Sequence, residues 1–246
     1  LDESRVPDLV LAIETSNPTA HAGAAGVAVA RRTAEGFEVL AEEPINEGPR
    51  LDDDLVPAID RAMRRAGAAP ADLGTVAISV GPGGYTSIRV GVSAGCMIAR
   101  ATGARVCVVP TAIAGAMLAS DRVAPGTVLA LCLAWKGDTV WRHRFRAGTP
   151  PSELGAGALV RVDAIDASET IVADAVFRAR AEAEPGLAGA PMLPLRLSAR
   201  AVARVSRGRE QIDAALAGPV YPREPEAVTK WRTLHPGGES RSPRTE

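Results

Sequence analysis

The chain has 246 residues, a length that suits one large domain or two small ones sharing a core. Charged residues make up 23% and the formal net charge is −1, so no global field draws in tRNA, DNA or an anionic membrane. Cys96, Cys107 and Cys132 stand far apart with no CxxC or zinc-type pair, which argues against a disulfide scaffold and fits a reducing compartment, and no apolar run is long enough to span a bilayer.

The opening "LDESRVPD" is polar and acidic, unlike a signal peptide. A cytoplasmic protein with no membrane partner is expected. "LVLAIETS" (Leu9–Ser16) reads as a buried strand ending in turn formers. "GAAGVAVARR" (Gly23–Arg32) and "FEVLAEEPI" (Phe37–Ile45) read as second and third strands, with Glu35-Gly36 as the turn between them. Short connections imply antiparallel pairing. A helix follows. Asp52, Asp53 and Asp54 crowd its first turn, where carboxylates suit the helix dipole. Leu55, Ile59, Ala62, Met63 and Ala66 recur at helical spacing, and Gly67 closes it.

"TVAISV" (Thr75–Val80) is a strand, followed by Gly81-Pro82-Gly83-Gly84 and an apolar helix over Thr86–Thr102. "RVCVVP" (Arg105–Pro110) is a fifth strand and "TAIAGAMLAS" (Thr111–Ser120) a third helix. Three antiparallel strands, helix, strand, helix, strand, helix is the ribonuclease-H-like order, a mixed α/β sheet covered by helices. After Pro125-Gly126 the opening recurs: Thr127–Trp135 and Thr139–Ala147 flank a hairpin turn at Lys136-Gly137-Asp138. "ETIVADAV" is a later strand. A duplicated fold of this kind defines the actin-like ATPase class. The second copy reads as reduced, with Gly/Pro/Ala-rich connections at 149–158 and 185–194. Helices "SARAVARVSR" and "EQIDAALAG" follow. The expected organisation is an N-terminal subdomain over 1–110, a reduced C-terminal subdomain over 111–232, and a disordered tail over 233–246, which has no periodic apolar pattern.

The glycine turn supports two readings. No Lys-Ser/Thr follows Gly84, so it is no Walker loop. Gly83 and Gly84 still permit close backbone approach, and Thr86 as an N-cap would leave a helix N-terminus able to hold an anion. A plain strand-to-helix turn fits as well. In the helix, Gly91, Gly95 and Ala99 form a small-residue stripe, flanked by Ile88, Val92 and Cys96. A helix apolar all round is expected to be buried. Either the chain's own sheet or another chain could bury it.

Catalytic signals are sparse. His21, His143 and His235 are scattered, and neither HxxxH nor HExxH occurs. Glu14, beside Thr15 and Ser16, is a strand-end cap or, as in the actin-like class, an acid that holds magnesium through water. The matching place in the second hairpin holds Leu133 and Trp135, a poor setting for a metal–phosphate charge. Arg196, Arg200 and Arg204 share a helix face, with Arg207 and Arg209 nearby; they read as a solvated face or a phosphate contact.

"GPGGYTSIRVG" (Gly81–Gly91) resembles the GPGSFTGLRIG signature of the TsaB family of tRNA threonylcarbamoyladenosine biosynthesis proteins. "LVLAIETS" is similar to the family's ILAIDTS, "LVPAIDRAM" (Leu55–Met63) to its LLPLIDELL, and "GPVYPREPEAVTKW" (Gly218–Trp231) to its P-x-Y-x-R ending. These matches keep their order from Leu9 to Trp231. The resemblance implies an actin-like fold with a degenerate active site and no independent catalysis. It implies a scaffold for TsaD, the subunit that transfers threonylcarbamoyl to adenosine 37 of tRNA. A TsaE-like ATPase joins that complex, tRNA is met only indirectly, and the protein alone forms a homodimer. No intrinsic cofactor is implied, while ATP or ADP with magnesium could sit at the interface with the partner. The two helices over 54–66 and 86–102 would carry that interface. The residues carried over are Leu55, Ile59, Met63, Ile88, Gly91, Val92, Gly95, Cys96 and Ala99; any anion or nucleotide site falls on Glu14, Thr15, Gly83, Gly84 and Thr86.

Several positions depart from the family pattern. "PRLDDD" puts Leu51 near an expected His, Leu133-Ala134-Trp135 replaces Asp-Ala-Arg, and "NPTAHAGAA" (Asn17–Ala25) lengthens the first turn. Two enzyme readings compete with the scaffold. An ATP-dependent phosphotransferase or carbamoyltransferase of this fold needs two metal-orienting acids, and Glu14 alone is suitably placed. A metallopeptidase, a label relatives of the fold have carried, needs the paired histidines that this chain lacks.

Overall fold

A computed structural model describes residues 8–34, 36–45, 51–224 and 226–235. The first sheet contains β1 (Leu9–Glu14), β2 (Gly26–Arg32), β3 (Phe37–Pro44), β4 (Leu73–Ser79) and β5 (Arg105–Val109), in the order β3-β2-β1-β4-β5. β1, β2 and β3 run antiparallel, whereas β4 and β5 join in parallel, with Ile13 opposite both Val27 and Ile78. Two helices, α1 (Leu51–Arg65) and α2 (Tyr85–Thr102), make the crossovers.

The period-2 alternation of β1 explains the layering. Leu11 and Ile13 point into a core shared with Leu55, Met63, Ile88 and Val92 of α1 and α2. Val10 and Ala12 point to the opposite face, toward α3 (Thr111–Ser120) and α5 (Ala199–Ser206). That second core continues into Leu129, Leu131 and Phe145 of a second sheet. The molecule is therefore layered: α1 and α2, first sheet, α3 and α5, second sheet.

The second sheet repeats the first. β6 (Val128–Lys136) and β7 (Thr139–Arg146) form the expected hairpin, β10 (Thr170–Ala173) and β11 (Met192–Pro194) add in parallel, and β8 (Ser152–Glu153) and β9 (Ala158–Arg161) pair with β7. The order of β6, β7, β10 and β11 matches that of β1, β2, β4 and β5. The reduction is specific. A 3-10 turn at Val162–Ala164 replaces the first helix, the third strand is split in two, and the fifth has three residues. Helix α4 (Ala175–Glu182) was hidden behind the strand reading of "ETIVADAV"; Asp174 caps it by accepting from the Phe177 N–H (2.8 Å) and ends the strand.

Two further differences have clear causes. "EQIDAALAG" is not a helix. Ile212 exchanges both backbone bonds with Val106 (2.7 and 3.0 Å), which holds the segment extended until a short 3-10 turn at Ala214–Leu216. A last helix, α6 (Glu226–Leu234), takes in Thr233 and Leu234 from the stretch read as tail; 236–246 lie outside the described residues.

α3 is the helix buried on every side, because it lies between the two sheets. Gly115 sits where a Cβ would come within 2.8 Å of Leu131 Cδ2 and 3.0 Å of Leu195 Cδ1. Gly115→Leu should destabilise the chain by about 1–3 kcal/mol through overpacking. An unchanged urea midpoint would show that this layer is loosely filled.

Candidate functional site

The glycine turn docks on the end of β1. The Gly84 N–H donates to the Ser16 carbonyl (2.7 Å). A Cβ on Gly83 would lie 2.1 Å from that same oxygen, so only glycine permits the approach. Asn17 Nδ2 donates to the Pro82 carbonyl (3.3 Å), and Thr15 Oγ1 donates to the Ser87 carbonyl (2.8 Å). The structure thus brings Glu14, Thr15, Gly83 and Gly84 together, with Glu14 and Gly84 bonded to Ser16 and Thr15 bonded to Ser87. Thr86 is exposed and caps nothing: Gly84 is the N-cap, with no side-chain cap bond.

Glu14 is fully buried. Its Oε1 accepts from the Ser16 N–H (2.7 Å) and Oγ (2.6 Å), while Oε2 is buried without a hydrogen-bond partner. This is the strand-end cap. Loss of hydration pushes its carboxyl from the ordinary 4.5 up to about 7, against the lowering pull of the Ser16 bonds. At the matching place in the second sheet, Leu133 is buried and Trp135 packs edge-on against Phe177 (6.2 Å). Among the described residues no group of three or more His, Cys, Asp or Glu is placed to hold a metal. This donor set does not fit a magnesium–phosphate site within the chain.

Leu55, Ile59, Met63, Ile88, Gly91, Val92, Gly95 and Ala99 are buried inside the chain, and Cys96 is half-buried. The small-residue stripe faces the sheet. A Cβ on Gly91 would meet Thr15 Oγ1 at 2.2 Å, and one on Gly95 would meet Ile78 Cδ1 at 2.5 Å. The stripe lets α2 lie close on β1 and β4, so Gly91 and Gly95 meet the chain's own sheet. The outward face of the same helices is exposed. Val56 is 62% exposed, Tyr85 49% and Met97 71%. Thr86, Arg89, Val90 and Ser93 line a hollow of about 310 Å³. Tyr85 stacks on Tyr221 (ring centroids 4.7 Å), and the Arg89 guanidinium lies 5.4 Å from the Tyr85 centroid. The spacing 86, 89/90, 93, 97 carried this face in the sequence, but the inward stripe had the stronger signal.

Tyr221 and Arg223 belong to the P-x-Y-x-R ending, and both are structural clamps. The Val220 N–H donates to the Val80 carbonyl (2.7 Å). Arg223 donates to the Ala134 carbonyl and to Thr139 O (2.9 Å) and Oγ1 (2.8 Å). Ala134 sits in the left-handed region (φ 50°), at the point where the hairpin register shifts. The histidines are structural as well. His21 Nε2 accepts from the Leu197 N–H (3.0 Å), His143 meets Glu153 (3.0 Å), and His235 stacks on Trp231. The cysteines are free, and burial pushes the Cys132 thiol up to about 12. No helix among the described residues is long and apolar enough to cross a membrane.

A raised carboxyl pKa ties stability to pH. Between about 4.5 and 7 the native state holds a proton that the unfolded chain has released. Stability must then fall as pH rises through that window and level off above it, by an amount on the order of 3 kcal/mol. Glu14→Gln stays neutral and should remove this component, so the variant should gain stability relative to the wild type from pH 5 to pH 8. Parallel denaturation curves would show that Glu14 does not titrate there.

A search of curated proteins by sequence found no match. The family model described as TsaD, tRNA N6-adenosine threonylcarbamoyltransferase, matches residues 50–141. An uncharacterized Pseudomonas aeruginosa protein with similarity to peptidase YeaZ superposes with a TM-score of 0.68 at 18% identity, over 88% of this chain and 100% of that one. YeaZ from Pseudomonas aeruginosa gives 0.65 at 19% identity, over 87% of this chain and 99% of its own. The chain therefore has the YeaZ fold, of the actin-like class, and between α1 and the β6–β7 hairpin its sequence is similar to the TsaD family.

Proposed function

We propose that this protein is a non-catalytic scaffold subunit of TsaB type in the pathway that makes threonylcarbamoyladenosine in tRNA. It would bind a TsaD-like catalytic subunit through the outward face of α1 and α2. One observation carries the reading: the strand-end site where this fold class holds a nucleotide is filled by the chain's own bonds, while α2 presents Tyr85, Arg89, Val90 and Met97 outward. Exposed aromatic, arginine and methionine side chains are what protein interfaces favour. The YeaZ fold and the TsaD-like stretch over 50–141 support the assignment.

On this reading the same face closes a homodimer when TsaD is absent, and a TsaE-like ATPase joins the assembly without needing a site here. Any ATP or ADP with magnesium sits at the joint, with the partner supplying the metal ligands. tRNA is reached through the catalytic subunit.

Mixing the protein with the TsaD-like subunit of its own organism should give a stable complex by size-exclusion chromatography. Arg89→Glu and Met97→Glu, both on the exposed face, should weaken it at least tenfold (about 1.4 kcal/mol or more) and leave the thermal melt of the free chain unchanged. Depleting the protein should lower threonylcarbamoyladenosine in tRNA. An intact complex with both variants, or an unchanged nucleoside level, would refute the proposal.

A further inference from the structure

Between the two sheets, a recess of about 180 Å³ opens beside the C-terminus of α5. Its apolar floor is Ile113, Met117 and Val205, all buried. Pro150 and Pro151 form one wall. Arg204, Arg207 and Arg209 form the other. The arginine row singled out in the sequence divides here. Arg200 pairs with Glu42 (3.4 Å) on the surface, whereas the later residues turn into the recess.

The charges in the recess do not balance. Arg204 reaches Asp121 only at 3.6 Å. Arg207 donates to a main-chain carbonyl, that of Ala34 (2.8 Å), and meets no carboxylate among the described residues. The half-buried Arg209 side chain has no hydrogen bond or ion pair among the described residues. Glu153, the acid in the lining, lies 3.0 Å from His143 and offsets one of the three positive charges. Guanidiniums are weakly hydrated forks that match the oxygens of phosphate and carboxylate. Three of them around one opening favour a dianion, which has more acceptor oxygens than a carboxylate. The volume is below that of a typical site for a drug-sized molecule, about 300–1,000 Å³. It admits one phosphoryl group and a few carbon atoms, which the Met117 and Ile113 floor would cover.

We propose that the recess walled by Arg204, Arg207 and Arg209 is a binding site for a phosphate ester, carried on a small metabolite or on an RNA backbone. The inference stands apart from the scaffold reading, since the recess lies on the far side of the first sheet from α1 and α2. Titration calorimetry of the full chain with glycerol phosphate, against chloride at matched ionic strength, should show one saturable site. Arg209→Gln and Arg204→Gln should each weaken it at least tenfold, whereas Arg200→Gln should not. Each variant's ligand-free melt checks that it is folded. A short single-stranded RNA displaced by glycerol phosphate would identify the backbone as a source of the ester; glycerol phosphate binding with no RNA binding would identify the metabolite. No saturable binding, or binding unchanged in both recess variants, would overturn the proposal.

Discussion

The bond from the Gly84 N–H to the Ser16 carbonyl fixes where α2 sits on the first sheet. It can form because Gly83 has no side chain to collide with that oxygen. Once it forms, the first turn of α2 is attached to the end of β1, and the helix axis is set against the sheet. Gly91 over Thr15 and Gly95 over Ile78 follow as conditions of the same close approach. Two functional consequences come from one constraint. The turn's polar groups are spent inside the chain, and the larger side chains of α2 that cannot face the sheet must face out. A site that is closed and a face that is open are therefore the same structural fact.

Duplication explains how such a chain stays folded after losing parts. Each half supplies a sheet that needs cover on two faces. The shared layer of α3 and α5 covers one face of each, so neither sheet can leave without exposing that layer. The second half could then lose its first helix to a 3-10 turn, because the small core of Val140, Ile171, Phe177 and Leu187 closes that side with α4. The C-terminal segment adds a tie between halves. Val220 bonds to the end of β4, and Arg223 holds the β6–β7 hairpin through carbonyls of Ala134 and Thr139. Its P-x-Y-x-R pattern makes sense as a strap rather than as a catalytic group.

The first half was legible in the sequence because its strands are long enough to show alternation. β1 to β5 and α3 were all found, and α3 has the bounds read from "TAIAGAMLAS". In the second half the strands shrink to two to four residues outside the hairpin, too few for a period to emerge. The direction in which α2 turns its small-residue stripe was hidden for a different reason. Periodicity reports that Gly91, Gly95 and Ala99 share a face, but not which neighbour that face meets. Sheet and partner demand the same small residues, and only the position of Ile78 beneath Gly95 decides between them. Glu14 was legible as a cap, since Ser16 follows at the right offset. Its burial was not, because that depends on the glycine turn folding over it.

The buried acid also constrains the chemistry. A carboxylate that orients magnesium must stay charged at neutral pH and must offer an oxygen to a hydrated ion. Glu14 is poorly suited to both in this fold. Desolvation favours its neutral form, one oxygen is taken by Ser16, and the other is sealed from solvent. Its counterpart across the duplication is an apolar strand end. Restoring a metal site would require lifting the turn off Ser16, which would also release α2 from the sheet. Catalysis in this cleft and rigidity of the outward helix face are thus competing uses of one segment. On the proposed scaffold reading, a chain that presents Tyr85, Arg89 and Met97 in a fixed array gains from keeping the cleft shut, since a preorganised face loses less entropy on docking.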